Sequence, residues 1–133
     1  MQSEPVWVPI KVLIGLNRDL VAETGEPHLL LSASMLESAW AKPINRRNYE
    51  GEEDMLVLAV TLMVGIAQNH PFQQGNKRTA FEAGVDFLRG NGFGLSGELD
   101  SAALADLFVE VVAHRVDQGA FVAHLRPHVV PLD

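Results

Sequence analysis

"MLVLAVTLMVGIAQNHPFQQGNKRTAFEAG", residues 55–84, decides how this chain folds. Its first half, Met55 to Ala67, is almost wholly apolar. That run falls well short of the roughly 20 residues needed to cross a bilayer, so it reads as a helix buried on all sides. Its second half sets a histidine, a Pro-Phe step, an Asn beside a glycine and a Lys-Arg pair side by side, which is costly unless those groups have work to do.

From residue 76 the helical period returns. Ala80, Phe81, Gly84, Val85, Phe87 and Leu88 form an apolar stripe, and Asn91-Gly92 stops it, so a helix is predicted over 76–89. Residues 71–75 are then a short loop between two buried helices. Upstream, Glu52, Glu53 and Asp54 put negative charge where a helix start favours it.

Working outward, Pro9 suits a first helical turn, and Ile10, Leu13, Ile14, Leu16, Leu20 and Val21 predict a helix over 9–22, ended by Thr24, Gly25 and Pro27. Ser32 or Ser34 caps a second helix whose buried side is Met35, Leu36, Ala39 and Trp40, with Pro43 closing it. The stretch "INRRNYEG", 44–51, has no apolar period and ends in glycine, so it reads as an exposed loop or short hairpin. Asp100 caps a helix carrying Leu104, Leu107, Phe108, Val111 and Val112, and a short final helix from Gly119 to Arg126 ends before Pro127. The class is all-α, one domain over residues 1–133 with about six helices, with room for one small hairpin at 44–51.

The totals agree. The 133 residues are 47% hydrophobic and 20% charged, which suits one soluble globular domain. A formal charge of −7 repels nucleic-acid backbones and anionic membranes. There is no cysteine, which removes disulfides, thiolate metal sites and a Cys nucleophile, and fits a reducing cytoplasm. The N-terminal stretch from Met1 to Leu16 carries Glu4 and Pro9 and lacks a small-residue cleavage site, so it does not read as a signal peptide.

Several suggestive patterns carry little. "GFGLSG", 92–97, has dinucleotide-loop spacing but follows a helix where that loop must follow a strand, so it reads as a glycine-rich connection. His124 and His128 are four apart, but Pro127 lies between them and no third ligand is near. His28 and His114 read as surface or capping residues. Arg46 and Arg47 are either a small anion contact or part of a solvated loop.

The loop at 70–78 is different. A helix start offers unpaired N–H groups and partial positive charge, a natural anion cradle. Lys77 and Arg78 oppose the dipole there, so their placement calls for a compensating anion or a separate structural cause. Gly75 allows close backbone approach to a phosphate, Asn76 can donate its side-chain amide to a ligand oxygen, and Phe72 pins the loop to the core. His70 at the other lip can take a proton from a hydroxyl. Two readings stay open on the residues alone: transfer of a phosphate-containing group to an alcohol, or a loop in which His70 caps a helix and the two cations face water.

At these positions the sequence resembles the Fic/Doc family, and within it the death-on-curing branch, whose loop runs His-x-Phe-x-Asp/Asn-Gly/Ala-Asn-Lys-Arg. "WVP" near the start, "MLESAWAKP" at 35–43 and "TAF…FLRGNGF" after the loop extend the likeness over nearly the whole chain. The resemblance implies the toxin of a bacterial type II toxin–antitoxin pair. It makes His70 the general base, places nucleotide phosphates on Gly75, Asn76, Lys77 and Arg78, and keeps Pro71 and Phe72 as structural parts of the motif. The loop at 44–51 falls where the family carries a flap that docks its target. Nucleotidyl-transferring members have Gly at the position of Lys77 and a second Arg at that of Phe81. Their absence favours phosphoryl transfer from ATP to a translation protein, elongation factor Tu in the family, over AMP- or UMP-type transfer. One position departs: the family's acidic Mg²⁺ ligand is Gln74 here, which weakens the expected Mg²⁺ binding and leaves a catalytically weakened binding partner as an alternative. No self-restraining Ser/Thr-x-x-x-Glu-Gly/Asn string occurs in the sequence, so restraint is expected from a separate antitoxin helix.

Overall fold

A computed structural model describes residues 4–132. The reading of the N-terminus falls partly on residues 1–3 and to that extent lies outside the described residues. Six helices run in order: α1 (Ile10–Glu23), α2 (Ala33–Glu50), α3 (Met55–Asn69), α4 (Asn76–Gly90), α5 (Ser101–Val112) and α6 (Gln118–Leu125), with a 3-10 turn at Arg126–His128. Two short strands, β1 (Phe93–Leu95) and β2 (Val129–Pro131), complete the fold.

The apolar run does what its composition demands. α3 is buried from Leu58 to Ala67 and packs chiefly on α4 and α2, with α5 and α6 closing over it. Asp54 caps it, accepting from the N–H groups of Leu56 and Val57. Gly84 of α4 is required at the α3 contact, since a Cβ there would meet Met63 Cε at 2.2 Å. No helix among the described residues is long and apolar enough to cross a membrane.

The all-α class holds, with three local corrections. Pro43 does not close the second helix: α2 runs through it to Glu50 and ends at Gly51, whose φ of 73° makes a left-handed cap. The missing proline N–H is outweighed by packing, because Pro43 is buried and α2 approaches α3 so closely that a Cβ on Gly65 would sit 3.5 Å from Ala39 Cα. Residues 44–50 are therefore helix, neither loop nor hairpin. Their lack of an apolar period reflects a polar helix end laced by ion pairs: Arg46 with Glu50 and Glu52, Arg47 with Glu4 and Glu53. Met35, expected inside, is 48% exposed.

The one small sheet lies elsewhere. β1 pairs antiparallel with β2, Phe93 opposite Pro131 and Leu95 opposite Val129. The glycine-rich connection is thus half strand, and Gly94 lets Leu132 close over it at 3.1 Å from where a Cβ would be.

Candidate active site

α3 ends by placing His70 in the left-handed region, φ 46° and ψ 54°, with its N–H donating to Ile66 O at 3.2 Å. A non-glycine residue held there stores about 1–2 kcal/mol of strain, a cost common at functional positions. The imidazole is exposed and makes no hydrogen bond among the described residues. Pro71 and Phe72 behind it are buried, Phe72 to 1% exposure.

The return of the chain into α4 pivots on Gly75, φ 76°. A Cβ there would meet Val21 Cγ1 at 2.9 Å as well as a strained backbone, so both conformation and space require glycine. After it, the first N–H groups of α4 have no helical acceptor. Among the described residues, the N–H groups of Gly75, Asn76, Lys77 and Arg78 donate to no protein atom. Four open donors at a positive helix end make an anion-binding surface.

The side chains divide their labour differently from the sequence reading. Asn76 does not present its amide to a ligand: its Oδ1 accepts from Phe72 N–H at 3.0 Å and its Nδ2 donates to Phe72 O at 2.8 Å. It shapes the loop. Arg78 turns back to the end of α1, donating to Glu26, to Thr24 Oγ1 at 3.2 Å and to Leu20 O at 3.5 Å. Hydrogen bonds from Thr24 and then Arg78 hold the Glu26 carboxyl below its usual range. The puzzle of a cation at a helix start thus has an internal answer for Arg78. Lys77 is exposed and makes no hydrogen bond or ion pair among the described residues. Lys77 and Arg78 rim an apolar groove floored by Phe81, Leu104, Phe108 and Phe121, and His70 does not line it.

Gln74 is half-buried, and its backbone carbonyl accepts from Asn17 Nδ2 at 2.8 Å. Among the described residues no three His, Cys, Asp or Glu side chains gather where they could hold a metal ion. One neutral amide oxygen is a poor set for Mg²⁺, so the chain's own residues do not fit a protein-held cation. The other candidates lie apart. Arg46 and Arg47 belong to α2. His128 Nδ1 lies 3.3 Å from Ser96 Oγ, and His124 has no metal partner. His114 follows the α5 cap Ala113 with φ 62°.

The segment lying against the loop is 28–32, correcting the flap assigned to 44–51. The N–H groups of Leu31 and Ser32 donate to Pro71 O at 2.8 and 3.2 Å, and Gln73 N–H to Leu29 O at 2.9 Å. Leu29 and Leu31 are 50% and 60% exposed beside it. His28 stands at its head, half-buried against Phe72 and bonded to the fully buried Asn17, a residue the sequence reading passed over.

This loop agrees with what comparison finds. The sequence pattern of the Fic/DOC family matches residues 7–88. The chain is 37% identical over 67 residues to "Toxin Doc" of Mycolicibacterium smegmatis, covering 50% of this chain and 52% of that one. It is 35% identical over 78 residues to "Protein kinase doc" of Escherichia phage P1, covering 59% and 60%. The matches thus span about half to three fifths of these relatives' length. With the family pattern running from α1 through the bare amides to the end of α4, the chain belongs to the Fic/DOC family.

Proposed function

We propose that the protein is a cytoplasmic bacterial toxin of a type II toxin–antitoxin pair, transferring the γ-phosphoryl group of ATP to a hydroxyl side chain of a translation protein such as elongation factor Tu. The observation carrying this reading is the row of four unpaired N–H groups, Gly75 to Arg78, at the end of the short loop that the exposed, unbonded His70 begins. The amides take phosphate oxygens and the Lys77 ammonium adds positive charge where negative charge spreads over the transferring group. His70 takes the proton of the target hydroxyl as its oxygen bonds to the γ-phosphorus. The bond from that phosphorus to the bridging oxygen breaks, and ADP leaves. A Mg²⁺ bound to the nucleotide would depend on its phosphates rather than on side chains of this protein, and would offset negative charge there.

The names of the two relatives support the toxin and kinase parts of the reading. The groove rimmed by Lys77 and Arg78 suits an antitoxin helix with an apolar face and acidic flanks. The test is full-length protein with elongation factor Tu and ATP labelled on the γ- or the α-phosphate. Transfer of γ-label, lost in His70→Ala, is the expected result. Transfer of α-label would replace this reading by nucleotidyl transfer.

A second reading rests on Arg78 and Gln74. With its guanidinium held by Glu26 and the acidic metal position neutral, the protein would act as a weakened relative that binds its antitoxin without turnover. Growth inhibition unaltered by His70→Ala would favour it.

A further inference from the structure

The peptide joining Gln74 to Gly75 has a fixed orientation, and one buried side chain sets it. Its carbonyl is turned into the protein, where Asn17 Nδ2 donates to it at 2.8 Å. In a trans peptide the C=O and N–H point to opposite sides, and the chain has no cis bond among the described residues. Holding the carbonyl inward therefore turns the Gly75 N–H outward, onto the face where the amides of Asn76, Lys77 and Arg78 open. The peptide leads into a glycine, which accepts φ of either sign, so its plane is freer to rotate than one leading into a residue with a Cβ.

Asn17 is in turn held from every side. It is 0% exposed on α1. Its second amide hydrogen goes to Thr79 Oγ1 at 3.1 Å, and its Oδ1 pairs with His28 Nδ1 at 2.8 Å. Because Nδ2 faces a carbonyl, which only accepts, the amide cannot be turned around, and His28 Nδ1 must carry the proton. A buried amide is costly unless all its groups are paired, and here they are.

We infer that Asn17 is a positioning residue for the phosphate site, keeping the Gly75 amide aimed at the ligand, with His28 and Thr79 fixing Asn17 in turn. The inference rests on the phosphate reading above, so peptide orientation and ligand affinity are measured separately. Asn17→Asp is the sharpest variant: same shape, still an acceptor for His28, and able to accept from the Thr79 hydroxyl to which Asn17 donates, but repelling the Gln74 carbonyl and attracting the Gly75 N–H. It therefore favours the flipped peptide.

Solvent exchange of the Gly75 amide, followed by NMR in the free full-length protein, is expected to be fast in wild type and to slow in Asn17→Asp. ATP affinity, titrated by calorimetry well below the melting temperature, is expected to fall about tenfold. His28→Phe keeps the ring against Phe72 but removes the donor to Asn17, and is expected to weaken ATP by about threefold. It serves as the test should Asn17→Asp not fold. A Gly75 amide that stays fast in Asn17→Asp, or ATP affinity unchanged in the folded variants while their melting temperatures drop, overturns the inference. Wild-type protein that does not bind ATP overturns the phosphate reading alone.

Discussion

The two ends of α3 show opposite habits. At its start the Asp54 carboxylate is answered from within: it caps Leu56 and Val57, and Arg126 grips it with two guanidinium nitrogens, at 3.1 and 2.6 Å. At its finish the chain leaves groups open. His70 is strained and unbonded, four amides face outward, and the Lys77 ammonium has no partner among the described residues. A fold that answers its charges at one pole can do so at the other. Donors left open within one bend are what the proposed phosphate site draws on.

That contrast can be attacked at four points. The largest effect belongs to His70→Ala, which should cut phosphoryl transfer by about a thousandfold while leaving melting temperature nearly unchanged, since alanine keeps the Cβ in the same left-handed backbone. Comparable residual transfer would mean that the open pole is not catalytic. Gly75→Ala should lower stability by about 2–3 kcal/mol in denaturant titrations, since it meets both Val21 and a left-handed backbone.

Gln74→Asp restores a carboxylate and should raise Mg²⁺-dependent transfer by about tenfold, read as a rate against metal concentration. A flat response would mean that the position carries no metal. The smallest effect lies at the satisfied pole: Asp54→Ala should cost about 1 kcal/mol of stability with transfer unaffected per folded molecule. The hydrogen bond from Arg126 leads in lowering the Asp54 carboxyl's pKa, against a desolvation that opposes it. A depressed carboxylate adds stability that is present above its unfolded pKa and lost as pH falls through the folded one. Wild type should therefore lose stability below about pH 4 more steeply than Asp54→Ala in acid unfolding.

The sequence shows why these poles were unequally legible. α3 and α4 follow from composition and period, the acidic start of α3 from charge, and the Asp100 cap from residue type alone. The bend at Gly75 was visible because glycine accepts the left-handed backbone that a tight turn needs. α2 beyond Pro43 was not, because a local helix breaker was overruled by packing at Gly65 and by ion pairs with Glu4, Glu52 and Glu53. The roles of Asn76 and Arg78 turned on partners outside α4: Phe72 in the preceding loop, and Glu26 more than fifty residues back. Asn17 left one trace: it sits four residues from both Leu13 and Val21, a lone polar group on the face α1 buries. β1 was hidden because its partner strand comes more than thirty residues later.

One anchorage has a practical outcome. Asn91, capping α4, takes the N–H of Val6 on its Oδ1 and donates to Val6 O, and next to it Gly92 O accepts from Leu132 N–H at 2.8 Å. Residues 6 and 132 are thus moored at one spot, a helix length of about 20 Å from Gly75. Affinity tags or fluorescent reporters joined before the one or after the other emerge away from the bend, and a short linker between the two would re-cut the chain into a circular permutant with that bend left whole.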